Sequence, residues 1–323
     1  MLNLRDEIND FKEYETMSIK KHLQELDLQA SIDTVMIRTE YTKSMEESLE
    51  GVTSMKHEGK LISLKINPST VYAKYIADLE DSDIKAFEVM AYSQYQAAIK
   101  HVLKKYGIFD FFYKRIDFRF DSYTTTFQQA EKLNRALILC YYTLHHTDNI
   151  YHTKHLITDE DLNDCYKAST REIESYNKIK EESDGTVLVR LEFRSVNQHK
   201  TKNAYPLTRP EELAAKWKSE LAECPAAYTS MTQNLNQALV DRYYDNRALY
   251  PTINEFLRHN IHMIYTSKQM DDLLSKLGVA HPEQKRWNFL KRNKGLDSQF
   301  FSEKDMEEFI KYLTKQQKIF FSC

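Results

Sequence analysis

The chain has 323 residues, enough for two domains, and its 41% hydrophobic and 29% charged residues are typical of a globular protein rather than a disordered one. A formal net charge of −3 excludes a strong overall attraction to nucleic acid, so any such binding must come from a local patch. The four cysteines form no CxxC pair, which argues against a structural zinc site or a disulfide framework. The N-terminus is too charged for a signal peptide, and no run of about 18 apolar residues is present. We therefore expect a soluble, cytoplasmic protein that does not enter a membrane.

Hydrophobic spacing predicts alternating helices and strands through most of the chain. We expect helices within 3–30, strands at 34–39 and 61–66, a helix at 82–106 ended by Gly107, a strand at 115–121, a helix at 126–142 and a strand at 150–158. Strands at 172–180 and 186–196 follow, with the hairpin signal Asp184-Gly185 between them, and then helices at 210–222 and 231–250. Hairpins together with crossovers favour an α+β domain with a mixed or antiparallel sheet backed by helices.

The C-terminal part is predicted to be a separate helical module, residues 251–323, which follows a sheet-based domain of residues 1–250. Ser267 begins a helix that Gly278 ends, and Pro282 suits the first turn of the next helix. Helix, short turn and helix form the outline of a helix-turn-helix.

A basic segment lies within this module, at residues 285–294. It has five basic residues and no acidic one, and the module as a whole carries +3 against about −6 for the rest of the chain. A weakly basic module in an acidic protein is typical of DNA recognition. The predicted DNA contacts here are Lys285, Arg286, Lys291, Arg292 and Lys294.

Two predicted strands alternate apolar and charged side chains with period two, so their charged residues share one face. These residues are Asp117, Arg119 and Asp121 on the first strand, and Arg190, Glu192 and Arg194 on the second. If the strands are neighbours, the carboxylates would repel one another unless a cation lies between them. Mg²⁺ or Mn²⁺ suits such oxygen ligands and could be held against a phosphodiester. The alternative is a solvent-facing sheet surface on which the arginines pair with the acids across the strands.

A third polar-faced strand adds Tyr176 and Lys178, and Lys178 could neutralise a phosphate. A tyrosine could serve as the nucleophile of a DNA-nicking reaction, because a phosphotyrosyl ester conserves the energy of the broken bond. Tyr243 and Tyr244 are the leading candidates, because they lie on a predicted helix with arginines nearby. The alternative is that one of this pair is a core residue and the other a surface residue. Tyr176 is a further candidate, whereas Tyr205 and Tyr228 are weaker ones.

The order of three short motifs resembles that of the rolling-circle replication initiators of the Rep_trans type, found on plasmids and phages. The matching segments are Arg115-Ile116-Asp117 with Asp121, then Tyr176-Asn177-Lys178, then Arg190-Leu191-Glu192-Phe193. Together they span roughly residues 110–200.

The resemblance implies a palm-like nicking domain that binds a replication origin and cuts one DNA strand. In this interpretation Asp117, Asp121 and Glu192 hold Mg²⁺ or Mn²⁺, Arg119, Arg190 and Arg194 contact DNA, and a tyrosine forms a 5′-phosphotyrosyl intermediate. Family members act on double- and single-stranded origin DNA, commonly as homodimers and together with a host helicase.

Two other functions fit parts of the pattern. A non-catalytic origin binder or regulator would use the sheet as a scaffold and read DNA through its C-terminal module. A polymerase- or primase-like palm would also place acids on a strand. That chemistry usually needs carboxylates two residues apart, whereas Asp117 and Asp121 are four apart.

Overall fold

The structure, a computed structural model, describes ten parts of the chain. They are residue 23 and residues 28–56, 60–86, 89–124, 127–145, 164–167, 171–179, 187–196, 209–294 and 300–323. These residues form an α+β fold, an antiparallel sheet with helices, and the C-terminal region is helical.

The sheet has seven strands among the described residues, and all of their pairings are antiparallel. The strands are β1 (Leu28–Glu40), β2 (Val52–Lys56), β3 (Leu61–Ile66), β4 (Phe111–Thr124), β5 (Asp164–Lys167), β6 (Arg171–Ile179) and β7 (Val187–Val196). Their order across the sheet is β2-β3-β1-β4-β7-β6-β5. The central β4 therefore pairs with β7, so the two alternating segments are neighbours, as the sequence analysis required.

Ten α-helices lie in the described part of the chain. They are α1 (Pro68–Tyr75), α2 (Asp81–Ala86), α3 (Tyr92–Tyr106), α4 (Phe127–His145), α5 (Pro210–Leu221), α6 (Tyr228–Asp245), α7 (Ile253–Asn260), α8 (Ser267–Lys276), α9 (Pro282–Arg292) and α10 (Glu303–Ser322). Short 3₁₀ turns at Cys224–Ala227 and Ile261–Met263 connect some of them.

One face of the sheet is apolar and packs against helices, so we call it the helical face. Phe118 of β4 lies opposite Phe193 of β7 on this face. The Trp217 ring of α5 lies 5.0 Å from the Phe193 ring, and the Phe321 ring of α10 lies 6.0 Å from the Phe118 ring. Helix α4 packs against β6 and β7. Because side chains alternate along a strand, the charged residues of β4 and β7 point to the other face of the sheet.

The structure contains β2, α1 and β5, which were not predicted, and it differs from two of the predicted elements. Strand β1 begins at Leu28, inside the region predicted to be helical. The single predicted helix at 82–106 is divided into α2 and α3, and at the start of α3 the Gln94 side chain accepts a hydrogen bond from the Ala91 backbone N–H (2.8 Å). Gly107 ends α3 at a φ of +64°, as predicted. The strand predicted at 150–158 and the turn at 181–185 lie outside the described residues.

The C-terminal helices begin close to the predicted positions. Helices α8 and α9 are joined by a turn in which Gly278 has a φ of +80°, and Ser302 with Asp305 forms a capping box at the start of α10. Helix α10 packs against β1, α3, α4 and α5. The predicted domain boundary at residue 250 stays a prediction, and α10 shares a core with the sheet. Within the described residues, the structure has no helix of the length and apolarity that crossing a membrane requires.

Candidate active site

Ionic side chains from four neighbouring strands gather on the sheet face opposite the helices, which we call the charged face. The strand register places Asp117 opposite Arg194, Arg119 opposite Glu192, and Asp121 opposite Arg190. On the adjoining strand, Tyr176 lies opposite Arg190 and Glu174 opposite Glu192. The three predicted acids and the three predicted arginines therefore converge on one surface, together with Tyr176.

The centre of the charged face is an ion pair between Asp121 and Arg190. Arg190 Nε donates to Asp121 Oδ1 at 2.7 Å, and Arg190 Nη2 donates to Asp121 Oδ2 at 3.0 Å. Asp121 is 0% exposed and Arg190 is 3% exposed. A buried bidentate pair of this kind satisfies both carboxylate oxygens and fixes the orientation of the guanidinium plane.

A bulge in β1 adds one acid that was not predicted from the sequence. The register of β1 against β4 shifts between Ile32 and Thr34, which leaves Asp33 unpaired in the ladder. Asp33 Oδ1 accepts hydrogen bonds from Arg119 Nη1 (2.8 Å) and Arg190 Nη1 (3.1 Å). Burial by itself would raise the pKa of Asp33, but the two guanidinium groups outweigh it and hold that pKa below its ordinary value.

The apolar pattern of β1 contains the signal that could have revealed this bulge. Apolar side chains stand at positions 28, 30 and 32 and then at 35 and 37, so the period-two pattern slips by one residue near Asp33. A slip of this kind is what an inserted residue produces in a strand.

Arg119 is buried with unused hydrogen-bonding capacity. It is 3% exposed, and among the described residues its Nε and Nη2 atoms have no hydrogen-bond acceptor, although Nε lies 3.3 Å from an Asp121 carboxylate oxygen. A buried donor without an acceptor costs free energy. The Nη2 group is therefore an unused donor on the charged face.

Asp117 occupies one end of the charged face, beside two arginines. Arg115 Nε donates to both carboxylate oxygens (2.8 and 2.9 Å), and Arg194 Nε reaches Oδ2 at 3.4 Å. Burial nevertheless outweighs these cations and raises the pKa of Asp117 above its ordinary value. The cross-strand ion pairs of the alternative interpretation are thus present, but they are buried instead of facing solvent.

Glu192 and Tyr176 form a hydrogen bond that pairs a possible nucleophile with a possible base. The Tyr176 hydroxyl donates to Glu192 Oε1 at 2.6 Å, and Arg194 Nη2 donates to Glu192 Oε2 at 3.1 Å. Burial, together with the charges of Asp33 and Asp117, raises the pKa of Glu192. Burial and the Glu192 charge also raise the pKa of Tyr176. The pair is therefore a protonated phenol held against a carboxylate of increased basicity.

The three carboxylates do not fit a divalent cation as they are arranged. Asp117 and Asp121 accept hydrogen bonds from guanidinium groups on both oxygens, and Glu192 accepts from a phenol and a guanidinium group. Within the described part of the chain, no three His, Cys, Asp or Glu side chains form a cluster that could hold a metal. Mg²⁺ or Mn²⁺ at these residues stays a prediction.

The other candidate tyrosines lie away from the charged face. Tyr243 and Tyr244 are on α6, which packs against α4 and α8 on the helical side of the molecule. Tyr243 is buried against Phe256 and its hydroxyl accepts a hydrogen bond from Arg247, whereas Tyr244 is 57% exposed. One is therefore a core residue and the other a surface residue.

The remaining predicted site residues are the two weaker candidate nucleophiles, Tyr228 and Tyr205, and Lys178. Tyr228 is buried and donates to the carbonyl oxygen of Phe301. Tyr205 lies outside the described residues, as does the side chain of Lys178. Among the candidate tyrosines of the described chain, Tyr176 is the one that the fold brings to the predicted acids and arginines.

The predicted DNA-contacting residues of the module lie on α9 and just after it. Lys291, Arg292 and Lys294 are exposed, and Lys285 is partly exposed. Arg286 instead donates to Asp271 of α8 at 2.9 Å, so it joins the two helices of the helix-turn-helix outline. The Lys291 ammonium lies 4.4 Å from the centre of the Trp287 ring.

Comparisons with known proteins identify no relative of this chain. No protein-family model, no curated protein sequence and no solved structure matches it. The charged face is thus described by its own geometry.

Proposed function

We propose that this protein initiates DNA replication by nicking one strand of an origin, with Tyr176 as the nucleophile. The observation that carries the proposal is the 2.6 Å hydrogen bond from the Tyr176 hydroxyl to Glu192, within a group of buried arginines. A nucleophile hydrogen-bonded to a base that another group orients is the usual arrangement for covalent catalysis. Here Arg194 orients Glu192.

The proposed step is a transesterification at one phosphodiester of the DNA. The Tyr176 oxygen attacks phosphorus while its proton moves to Glu192. The bond from phosphorus to the 3′-oxygen breaks, and that oxygen leaves as a hydroxyl after taking a proton from water. The hydroxide formed from that water takes the proton that Glu192 received, which restores the carboxylate. A 5′-phosphotyrosyl bond remains, and attack by a 3′-hydroxyl reverses the step and rejoins a strand.

The shifted pKa values support this division of roles. A raised pKa keeps Tyr176 protonated at neutral pH, so the phenol is not spontaneously reactive. The raised pKa of Glu192 brings this carboxylate nearer to the operating pH, where a general base is most effective.

The arginines supply positive charge where the phosphodiester gains negative charge. Arg119 has an unused Nη2 donor, and Asp33 holds its Nη1 in place. A preorganised guanidinium in a water-poor site stabilises a developing oxyanion more than the same group does in water. Arg190 holds Asp121 and Arg194 holds both Glu172 and Glu192, so we assign the two arginines to positioning.

Other parts of the proposal concern partners and cofactors. Lys285, Lys291, Arg292 and Lys294 of the helix-turn-helix outline would bind origin DNA, whose phosphates favour such a basic surface. Binding to a host helicase, homodimer formation, action in the cytoplasm and dependence on Mg²⁺ or Mn²⁺ are proposals of the same kind, made from the sequence resemblance.

The test is a nicking assay on supercoiled and single-stranded DNA carrying the origin of the element that encodes this chain. Samples with Mg²⁺, Mn²⁺ or EDTA are denatured in SDS and examined for a covalent adduct. We expect peptide mapping to place the adduct on Tyr176, and Tyr176→Phe to abolish it. Glu192→Gln should slow nicking by about 10²- to 10⁴-fold, the range of general-base catalysis.

Tyr244→Phe is the matched control, because it removes a phenol hydroxyl from the far side of the molecule. This variant should nick like the unmodified protein. An adduct on any other tyrosine, or nicking that survives Tyr176→Phe, would show that the assignment of the nucleophile is wrong. Loss of activity in EDTA alone would support the proposed dependence on Mg²⁺ or Mn²⁺.

A second candidate function is a non-catalytic origin binder, and the arginine pairing of Asp117 and Asp121 favours it. In that case the charged face serves to stabilise the sheet, and the module binds DNA. Salt-sensitive origin binding without cleavage, equal in the unmodified protein and in Glu192→Gln, would support this function over nicking.

A further inference from the structure

An aromatic pocket lies on the helical face, on the opposite side of the sheet from Tyr176. Its volume is about 370 Å³, which falls within the range typical of small-ligand sites. The lining residues come from α3, the beginning of β4 and the beginning of α5. They are Tyr92, Tyr95, Gln96, Ile99, Lys100, Leu103, Phe111, Tyr113, Arg209, Pro210 and Glu211.

The strand side of the pocket results from a second irregularity in the sheet. The register of β1 against β4 shifts between Met36 and Ile37, so Tyr113 pairs with Ile37 and Arg115 pairs with Met36. The shift leaves Lys114 unpaired and turns Tyr113 and Phe111 toward the helical face. Without it, Tyr113 would share the face of Arg115.

Two pairs of aromatic rings form the walls. The rings of Tyr92 and Tyr95 are nearly parallel, at 14° with centres 5.5 Å apart. The rings of Phe111 and Tyr113 meet edge to face, at 87° with centres 5.4 Å apart. Tyr95 and Ile99 are buried, whereas Tyr92, Phe111 and Tyr113 are partly exposed. The partly exposed rings offer apolar surface to a planar group.

Charge at the rim is arranged for an anion. Lys100 and Arg209 line the pocket and are exposed, so both present positive charge to solvent at its rim. Among the described lining residues Glu211 is the one acid, and it accepts a hydrogen bond from the Tyr92 hydroxyl. A ligand with a planar ring and an attached negative group would match both the walls and the rim.

We infer that this pocket receives a base of single-stranded DNA, with the adjoining phosphate between Lys100 and Arg209. Stacking on aromatic side chains is how proteins hold single strands, because every base has a flat face. A duplex keeps its bases paired and stacked, so it cannot fill the pocket. The inference rests on the proposed function only for the source of the strand, which nicking would release.

The test measures binding of labelled 12-nucleotide DNA by fluorescence anisotropy, using Tyr176→Phe protein so that nicking cannot interfere. The probes are oligo(dT) and an abasic strand of equal length. Phe111→Leu keeps apolar bulk but removes a ring, and should weaken oligo(dT) binding by about 5- to 100-fold while leaving abasic binding unchanged. Lys100→Glu should weaken binding of both strands.

Two controls separate the pocket from the rest of the surface. Phe109→Leu removes a fully exposed ring that does not line the pocket, and Lys304→Glu reverses an exposed charge on α10. Neither should change binding. Equal losses for Phe109→Leu and Phe111→Leu, or equal binding of oligo(dT) and the abasic strand, would overturn the inference.

Crosslinking locates the base directly. Oligo(dT) carrying 5-iodouracil should crosslink on irradiation to a peptide from residues 92–100 or 111–113. Crosslinks found only elsewhere would also overturn the inference. Because binding is measured on protein that cannot nick, and nicking can be measured on Phe111→Leu, failure of one proposal is distinguishable from failure of the other.

Discussion

At the scale of single residues, the main feature is a set of charges buried in a sheet. Removing a charge from water is costly, and the cost is recovered only when geometry and further hydrogen bonds are favourable. Arg190 meets these conditions, because it donates to Asp121 through two nitrogens and to Asp33 through a third. These bonds join β1, β4 and β7 at the level of Tyr176. Ion pairing and the position of the proposed nucleophile are therefore linked.

Asp121→Asn should destabilise the protein substantially. The change leaves the buried Arg190 without its main counter-charge, and breaking a buried pair in this way typically costs about 3–5 kcal/mol. We expect the lower end of that range, because Asp33 remains within reach of Arg190. Urea unfolding followed by circular dichroism measures the change in the free energy of unfolding.

Asp245→Asn is the control for that measurement, since Asp245 is exposed at the end of α6. It should change the free energy of unfolding by no more than about 0.5 kcal/mol. If Asp121→Asn is equally harmless, the ion pair contributes little to stability.

At the scale of elements, α4 connects the sheet to the C-terminal region. Its Asn134 side chain donates to Ser175 of β6 at 3.0 Å. Its Lys132 donates to the carbonyl oxygens of Ile261 (3.1 Å) and Ile264 (2.5 Å), at the 3₁₀ turn that follows α7. Burial lowers the pKa of Lys132. A buried cation tied to carbonyl groups thus anchors the turn to the sheet domain.

His262 in that turn should make stability depend on pH. Burial, followed by the charges of Arg135 and Lys132, lowers the pKa of His262 to about 3, from an ordinary value of 6.5. Between these values the unfolded chain binds a proton that the folded protein does not. Stability contributed by neutral His262 is therefore present above pH 6.5 and lost as pH falls toward 3, with a slope of up to about 1.4 kcal/mol per pH unit.

The measurement is the free energy of unfolding from pH 7 to pH 4 for the unmodified protein and for His262→Gln. The difference between them should shrink as pH falls, because the variant lacks this proton uptake. His281→Gln, at an exposed site before α9, should retain the unmodified pH dependence. A constant difference for His262→Gln would contradict the prediction.

At the scale of the whole molecule, the last helix is part of the main core. Phe320 of α10 is 5% exposed, and its ring meets that of Tyr92 on α3 at 5.5 Å. The neighbouring Phe321 ring reaches Phe118 on β4. These contacts join the C-terminal end of the chain to the centre of the sheet. They favour cooperative unfolding over independent unfolding of residues 1–250 and 251–323.

Phe320→Ala should lower the free energy of unfolding by about 3–5 kcal/mol, the usual cost of removing a buried phenyl group. Ile319→Ala is the matched control, because Ile319 is 46% exposed and should matter little. The two tryptophans report on different regions, Trp217 on α5 and Trp287 on α9. Coincident transitions in Trp217→Phe and Trp287→Phe proteins would show one cooperative unit, whereas separate transitions would support the predicted boundary.

Local patterns predicted many of the elements well, for reasons that differ between strands and helices. Alternation with period two located β4 and β7, because side chains on a strand alternate between faces whatever the strand pairs with. The end of α3 at Gly107 follows from glycine's tolerance of positive φ. The break before Tyr92 was not predicted because apolar spacing continues across it, whereas the helix begins where the Ala91 backbone N–H donates to the Gln94 side chain.

The sequence predicted which ionic residues share the charged face, but not which acid pairs with which arginine. Asp117, Asp121, Glu192 and the three arginines do share one face, as their alternation implies. Which acid meets which arginine depends on strand register and on the bulge at Asp33, and both are set by contacts between distant segments. The leading tyrosines, Tyr243 and Tyr244, had only arginines nearby in sequence to support them, and the fold places them on the other side of the sheet.

The sequence by itself determined the α+β class, the division of the sheet into one apolar face and one charged face, and the set of ionic residues on the charged face. Periodicity and turn chemistry are local properties, and they act wherever the segment lies. Only the tertiary structure decided that Tyr176 is the tyrosine beside Glu192, that arginines surround the acids, and that an aromatic pocket lies on the helical face. Each of these depends on how segments far apart in the chain pair and pack. Strand register and tertiary packing set those contacts, and neither is a local property of the sequence.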